Sequence, residues 1–223
     1  EPLSRPWEAC RNMNGSWGYN YKKMNNYKTS TELIREMVKT VSRDGNYLLN
    51  IGPKGDGTIP QQEADILIGF GEWMSIYGES IYGTTRSPFS TKPSWGYVTK
   101  KPGKIYLHVF NWPSNGSIKV PSTSDTAKNI YLMNDTINLL NYSNDNDDIT
   151  ISLPENKPNP YNSVIVMDFT GEPFTSAKIS RIDDNITLFP NPVEDGILNL
   201  KQAGNSTFDI TIYNIYGQQV LSR

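Results

Sequence analysis

Apolar positions along this chain keep two different periods, and the change between them divides it. Leu33, Ile34, Met37, Val38 and Val41 recur at three- and four-residue spacing, one face of an α-helix. Thr29-Ser30-Thr31-Glu32 supplies a capping box ahead of them. Asp44-Gly45 ends that helix, with Gly taking the left-handed terminal conformation. Tyr47 to Ile51 is a nearly continuous apolar run, the mark of a strand buried on both faces of a parallel sheet. Pro60 suits a first helical position. Ile66, Leu67, Phe70, Trp73 and Met74 then give a second helix its buried face, and Gly78 closes it. Strands and helices alternating at this length predict a βα architecture.

Past residue 85 the period drops to two. Strands are predicted over Trp95–Lys100, Lys104–Asn111, Ser117–Val120, Asn129–Met133, Ile149–Leu153 and Ser163–Phe169, separated by Pro102-Gly103, Pro113 to Gly116, Asn144 to Asp148 and Pro158-Asn159-Pro160. Short strands at regular spacing predict an antiparallel β-sandwich. The Asn144 to Asp148 cluster lacks the central Gly and distal Glu of an EF-hand loop, so it reads as a solvated turn. A polar linker, Ser176 to Asp184, leads to a third zone of short strands: Ile186–Phe189, Gly196–Leu200, Asp209–Asn214 and Gly217–Leu221. The expected class is α/β followed by all-β, with domains over 1–85, 86–173 and 174–223.

Composition narrows the chemistry. The 223 residues carry 36% hydrophobic and 11% aromatic residues, enough for packed cores, and a net charge of −2 gives no electrostatic footprint for nucleic acid. Apolar runs fall far short of the roughly 20 residues that span a bilayer. No charged and apolar leader opens the chain, so any export signal is expected upstream. One cysteine, Cys10, and one histidine, His108, exclude an internal disulfide and a Cys/His metal cluster. His108 lies in the alternating run Lys104 to Phe110 and reads as an ordinary strand histidine. Carboxylates and aromatics remain.

Glycoside hydrolysis uses two carboxyl groups across the scissile bond, and sugar pockets use flat aromatic surface with polar handles. In a βα barrel such groups stand at strand C-terminal ends and in the loops that follow. Trp7, Glu8, Trp17, Tyr19 and Asn20 fall in one such loop, and Asn50, Lys54 and Asp56 around another. Glu8 reads equally as a carboxyl with a raised pKa or as one paired with an arginine. Trp17 has Asn and Gly neighbours that favour a pocket role over a core one. Asp56, in Lys54-Gly55-Asp56-Gly57, is most simply a turn residue. The spacing alone supports a carbohydrate-active barrel.

The ordered set WEAC, SWGYN, ELIREMVKTVSRDGNYLLNIGPKGDGTIP and GEWMSIYGESIYGT, over Arg5 to Thr85, closely resembles the C-terminal half of the glycoside hydrolase family 29 α-L-fucosidases. SWGYVTKKPGKIYLHVFNWP to NSVIVMDFTGEP is similar to the β-sandwich that follows their barrel. Leu188 to Pro192 and Ile212 to Gly217 resemble the C-terminal sorting domain of type IX secretion cargo, a Bacteroidetes device, here stopping within a strand or two of its usual basic end. The resemblance implies the last βα units, about two of eight, of a (β/α)8-like barrel, a β-sandwich and a small β-sandwich-like sorting domain. It also implies a retaining mechanism without metal or organic cofactor. The aspartate nucleophile and the pocket histidines are expected upstream of Glu1. Glu8 matches the motif glutamate considered for acid/base duty, and Trp17 the aromatic position that packs against fucose. The implied partners are a fucosylated glycan and the type IX machinery, with no nucleic acid and no membrane span. The implied location is the cell surface or medium. Residues 1–223 alone are expected to be inactive, since half the carboxyl pair is absent. The other classes weighed are a non-catalytic carbohydrate-binding or adhesion module displayed through the tail, and a decayed hydrolase.

Overall fold

The computed structural model describes residues 6–23, 26–123, 125–145 and 147–170, together with four strand segments between 186 and 222. Two units, Glu1–Ser176 and Ala177–Arg223, divide the chain.

The first unit opens with a βαβα segment. Strand β1 (Trp7–Asn12) pairs in parallel with β2 (Gly45–Asn50), Trp7 standing opposite Gly45 and Asn12 opposite Asn50. Helix α1 (Ser30–Val41) connects them and α2 (Gln61–Tyr77) follows. The α1 capping box forms: Thr29 Oγ1 accepts from Glu32 N at 3.2 Å, and Glu32 Oε2 accepts from Thr29 N at 2.8 Å. Thr29 Oγ1 also donates to Glu32 Oε2 at 2.9 Å, and the two donors, Thr29 N and Thr29 Oγ1, hold the Glu32 carboxyl below the usual carboxylate range.

Four local expectations are corrected. The segment Trp7 to Asn12 is a strand rather than a loop. Asp44, with φ 60°, takes the left-handed conformation expected of Gly45. Its carboxylate accepts from Arg86 N at 2.6 Å, which helps hold that backbone. Gly45 opens β2 instead and is small for another reason: a Cβ there would sit 2.5 Å from the Trp7 ring. Pro60 caps α2 from outside its first turn, and Gly78 ends the helix in a right-handed conformation. Nor is β2 buried on both faces. Ala9 is buried and Tyr47 packs against the helices, whereas Glu8, Cys10, Asn46 and Leu48, alternating with them, are exposed. Among the described residues the helices cover one face only, and Leu48 is left 46% exposed.

The rest of the unit is antiparallel. A five-stranded sheet runs β3 (Gly96–Lys101), β4 (Lys104–Val109), β10 (Ser163–Asp168), β6 (Asn129–Leu132) and β7 (Asp135–Leu139). A three-stranded sheet runs β5 (Ser117–Pro121), β9 (Asp148–Ser152) and β8 (Tyr142–Asp145). Ile105, Leu107, Ile165 and Met167 face the second sheet and pack with Ile118, Val120, Ile149 and Ile151. Tyr106, Phe110, Val164 and Val166 face the other way, into Ile34, Val38, Trp73 and Tyr77 of the helices. The alternation in β4 therefore sorts side chains between two cores, and the five-stranded sheet is a shared middle layer.

Polar bonds fix that contact. Trp73 Nε1 donates to the Asn162 carbonyl at 2.9 Å. The Arg35 guanidinium donates to the carbonyls of Phe110, at 2.6 Å, and Tyr161, at 3.3 Å, while lying over the Phe110 ring. Strands β7 and β8 were not expected; their residues are mostly exposed and Asn/Asp-rich.

In the second unit, β11 (Ile186–Phe189) pairs antiparallel with β12 (Asn199–Gln202), and β13 (Thr211–Tyr213) with β14 (Gln219–Ser222). The linker 176–184 and the Pro190-Asn191-Pro192 turn lie outside the described residues.

Candidate active site

Parallel pairing puts the C-terminal ends of β1 and β2 side by side, so their following loops share one end of the sheet. The β1–α1 loop is closed on itself by Lys28 N donating to Met13 O at 2.7 Å. Inside it, Asn12 Oδ1 accepts from Gly15 N at 2.7 Å, and the buried Asn14 accepts from Ser16 N at 3.1 Å. Trp17 projects from this loop and is 59% exposed, with Tyr21 also exposed.

The β2–α2 loop braces it. Asn50 Nδ2 donates to the Trp17 carbonyl at 2.7 Å. A Cβ on Gly52 would stand 2.9 Å from the Gly18 and Tyr19 backbone, so the two loops touch main chain to main chain. Beneath them Glu63, only 3% exposed, accepts from Gly52 N at 2.8 Å and from Tyr27 OH at 3.3 Å, one bond to each loop. Burial and the Glu63 charge together push the Tyr27 phenol up. Farther out, Asp56 Oδ1 accepts from Thr58 N and Oγ1 at 2.9 and 2.7 Å, which lowers its pKa. Asp56 serves its own turn.

Glu8 lies elsewhere. It is the second residue of β1, on the face shared with Cys10 and Asn12. Four residues at about 3.3 Å each set it about 13 Å from the strand end that carries Trp17's loop. Its Oε1 accepts from Cys10 Sγ at 3.5 Å, which pushes the thiol pKa up. Among the described residues Glu8 has no arginine partner. The same loops, then, gather Trp17 and Asn50 and leave Glu8 apart. Sequence reasoning missed Glu63 altogether, because an acid in the first turn of a helix is ordinary and only the fold shows it buried.

The family model described as α-L-fucosidase matches residues 1–79, and that of the α-L-fucosidase C-terminal domain matches residues 88–168. The chain belongs to the α-L-fucosidase family. The fucosidase segment is 35% identical over 166 residues to the human tissue α-L-fucosidase and 40% identical over 116 residues to an α-L-fucosidase of Dictyostelium discoideum. Those alignments take in 71% and 51% of this chain but only 36% and 25% of the relatives, so the chain spans about a third of their length or less. Its fold matches α-L-fucosidase isoenzyme 1 of Paenibacillus thiaminolyticus, with a TM-score of 0.68 at 34% identity, over 74% of this chain and 40% of that one. It also matches a family 29 fucosidase of Bacteroides thetaiotaomicron trapped as a covalent intermediate with 2-fluoro-fucosyl fluoride. There the TM-score is 0.67 at 27% identity, over 75% of this chain and 40% of that one. A third model, the secretion system C-terminal sorting domain, matches residues 187–223.

Proposed function

We propose that the longer protein to which these residues belong is a retaining exo-α-L-fucosidase that releases terminal L-fucose from glycoconjugates. Residues 1–85 form the C-terminal βα units of its (β/α)8-like barrel, 86–173 its C-terminal β-sandwich, and 174–223 a sorting domain that sends it through the type IX machinery to the cell surface or medium. One observation carries the reading: a fucosidase-family segment presents an exposed Trp17 where parallel strands end, the end at which βα barrels do their chemistry. Among the described residues no helix is long and apolar enough to cross a membrane.

In this mechanism an upstream aspartate attacks the anomeric carbon while a second carboxyl protonates the leaving oxygen. Water then hydrolyses the glycosyl ester with that carboxyl as base. Neither metal nor organic cofactor takes part. Trp17 lies against the apolar side of fucose, near its C5 methyl. Replacing Trp17 with Ala is expected to raise KM for nitrophenyl α-L-fucoside on the full-length protein by about tenfold or more, through lost apolar contact. A panel of other nitrophenyl glycosides should stay silent. Silence on the fucoside as well, from folded full-length protein, would favour a carbohydrate-binding module.

Glu8 is proposed as the acid/base candidate, and its bond to Cys10 at the strand start favours a second reading, a support for the strand face. Glu8→Gln separates the two. An acid/base role predicts a loss of about 100-fold or more in kcat, sharpest for poor leaving groups and rescued in part for activated aryl fucosides. A supporting role predicts equal, small losses on both.

A further inference from the structure

We infer that Asn50, seated on the Gly52–Glu63 brace, is a positioning residue for Trp17: it sets the height and tilt of the indole and thereby the affinity of the sugar site. The inference rests on the assignment of Trp17 to the fucose pocket. An indole that is 59% exposed on a loop is held by packing only in part, and freezing the rest at the moment of binding costs affinity. Here the cost is met beforehand at the backbone. The Asn50 amide donates to the carbonyl of Trp17 itself, at 2.7 Å, so it fixes the peptide from which the side chain springs.

Asn50 is in turn fixed by being the last residue of β2, paired opposite Asn12, while the next turn is pinned by Gly52 N on Glu63. The same carboxylate takes Tyr27 OH from the far limb of the Trp17 loop. Trp17 is thus referenced from both limbs of its loop to one buried carboxylate at the start of α2. A buried acceptor with a donor from each loop is a costly arrangement to break, because removing either bond leaves a desolvated group unpaired.

The bonds also assign a reason to glycine at 52. Any larger residue would push the β2–α2 loop off the Gly18–Tyr19 backbone and drag Asn50 away from Trp17.

Asn50→Asp tests this in the full-length protein, since the change keeps size, removes the donor and turns a carboxylate towards a carbonyl. The expected result is a rise in KM for nitrophenyl α-L-fucoside of roughly tenfold, with kcat within about threefold. The fluorescence change that L-fucose produces at Trp17, measured as the difference from Trp17→Phe, should shrink in parallel. Glu63→Gln should act in the same direction. Unchanged KM and fluorescence in folded Asn50→Asp, beside a raised KM in Trp17→Ala, would overturn the positioning role alone. Unchanged KM in Trp17→Ala would overturn the pocket assignment and the inference with it.

Discussion

Trp73→Ala is expected to unfasten the helices from the β-sandwich and to cost about 3–5 kcal/mol of stability. Trp73 is the largest fully buried side chain at that contact, stacked on Tyr77 with ring centroids 5.2 Å apart. Its removal leaves a cavity between α2 and the middle sheet and strips the Asn162 carbonyl of its indole donor. Asn162 sits just before β10, the strand that contributes to both cores, so the loss is felt on each side of the sheet. Trp73→Phe restores much of the volume but not the donor, and should recover more than half of the loss. Hydrogen exchange of the β4 and β10 amides in the full-length protein is the direct readout. Protection there unchanged by Trp73→Ala would mean that the sandwich stands independently of the helices. Arg35, which reaches across to Phe110 and Tyr161, would then be the fastening to examine.

How much of this was legible in the sequence depends on how far apart the deciding atoms are. Helix α1 was readable because its cap and its apolar stripe lie within one short segment. Six strands of the sandwich were readable within one or two residues because each has at least one apolar face, and β4 and β10 bury both. Strand β1 was not, since its outward face, Glu8, Cys10 and Asn12, is polar and looks like loop. Strands β7 and β8 were missed because residues such as Asp135, Asn138, Asn144 and Asp145 are poor strand formers, held in place here by pairing with neighbours. Burial of β2 on both faces was over-read for a similar reason: an apolar run reports what a strand can bury, and here one face has no cover among the described residues. At the site, the motif resemblance pointed to Trp17 and Glu8. The brace beneath Trp17 joins residues 33, 11 and 36 positions apart, which no local pattern encodes.

The protein is expected to lose stability steadily as pH falls below 6.5, by about 2 kcal/mol at pH 5 from His108 alone. His108 is fully buried on the helix-facing side of β4. Thr99 Oγ1 gives its one proton to the Ser80 carbonyl at 2.7 Å, so it must accept from His108 Nε2 at 3.1 Å. Nδ1 is then unprotonated and accepts from Asn162 Nδ2 at 2.9 Å. A second ring proton would have to enter against that amide donor and without water. Burial accordingly holds the pKa down, to about 3, with the Ser80 carbonyl opposing the shift. The sign follows from proton counting. Above pH 6.5 the ring is neutral folded or unfolded, and its site costs nothing. Below 6.5 the unfolded chain takes up a proton that the folded one refuses, so stability drops by about 1.4 kcal/mol per pH unit until the folded pKa is reached near 3. His108→Gln removes the titration and should flatten the dependence between pH 7.5 and 5 relative to the native protein, whatever it does to absolute stability. Parallel stability curves for the two proteins over that range would show that His108 is charged in the fold, and that the Thr99–His108–Asn162 chain is wired differently.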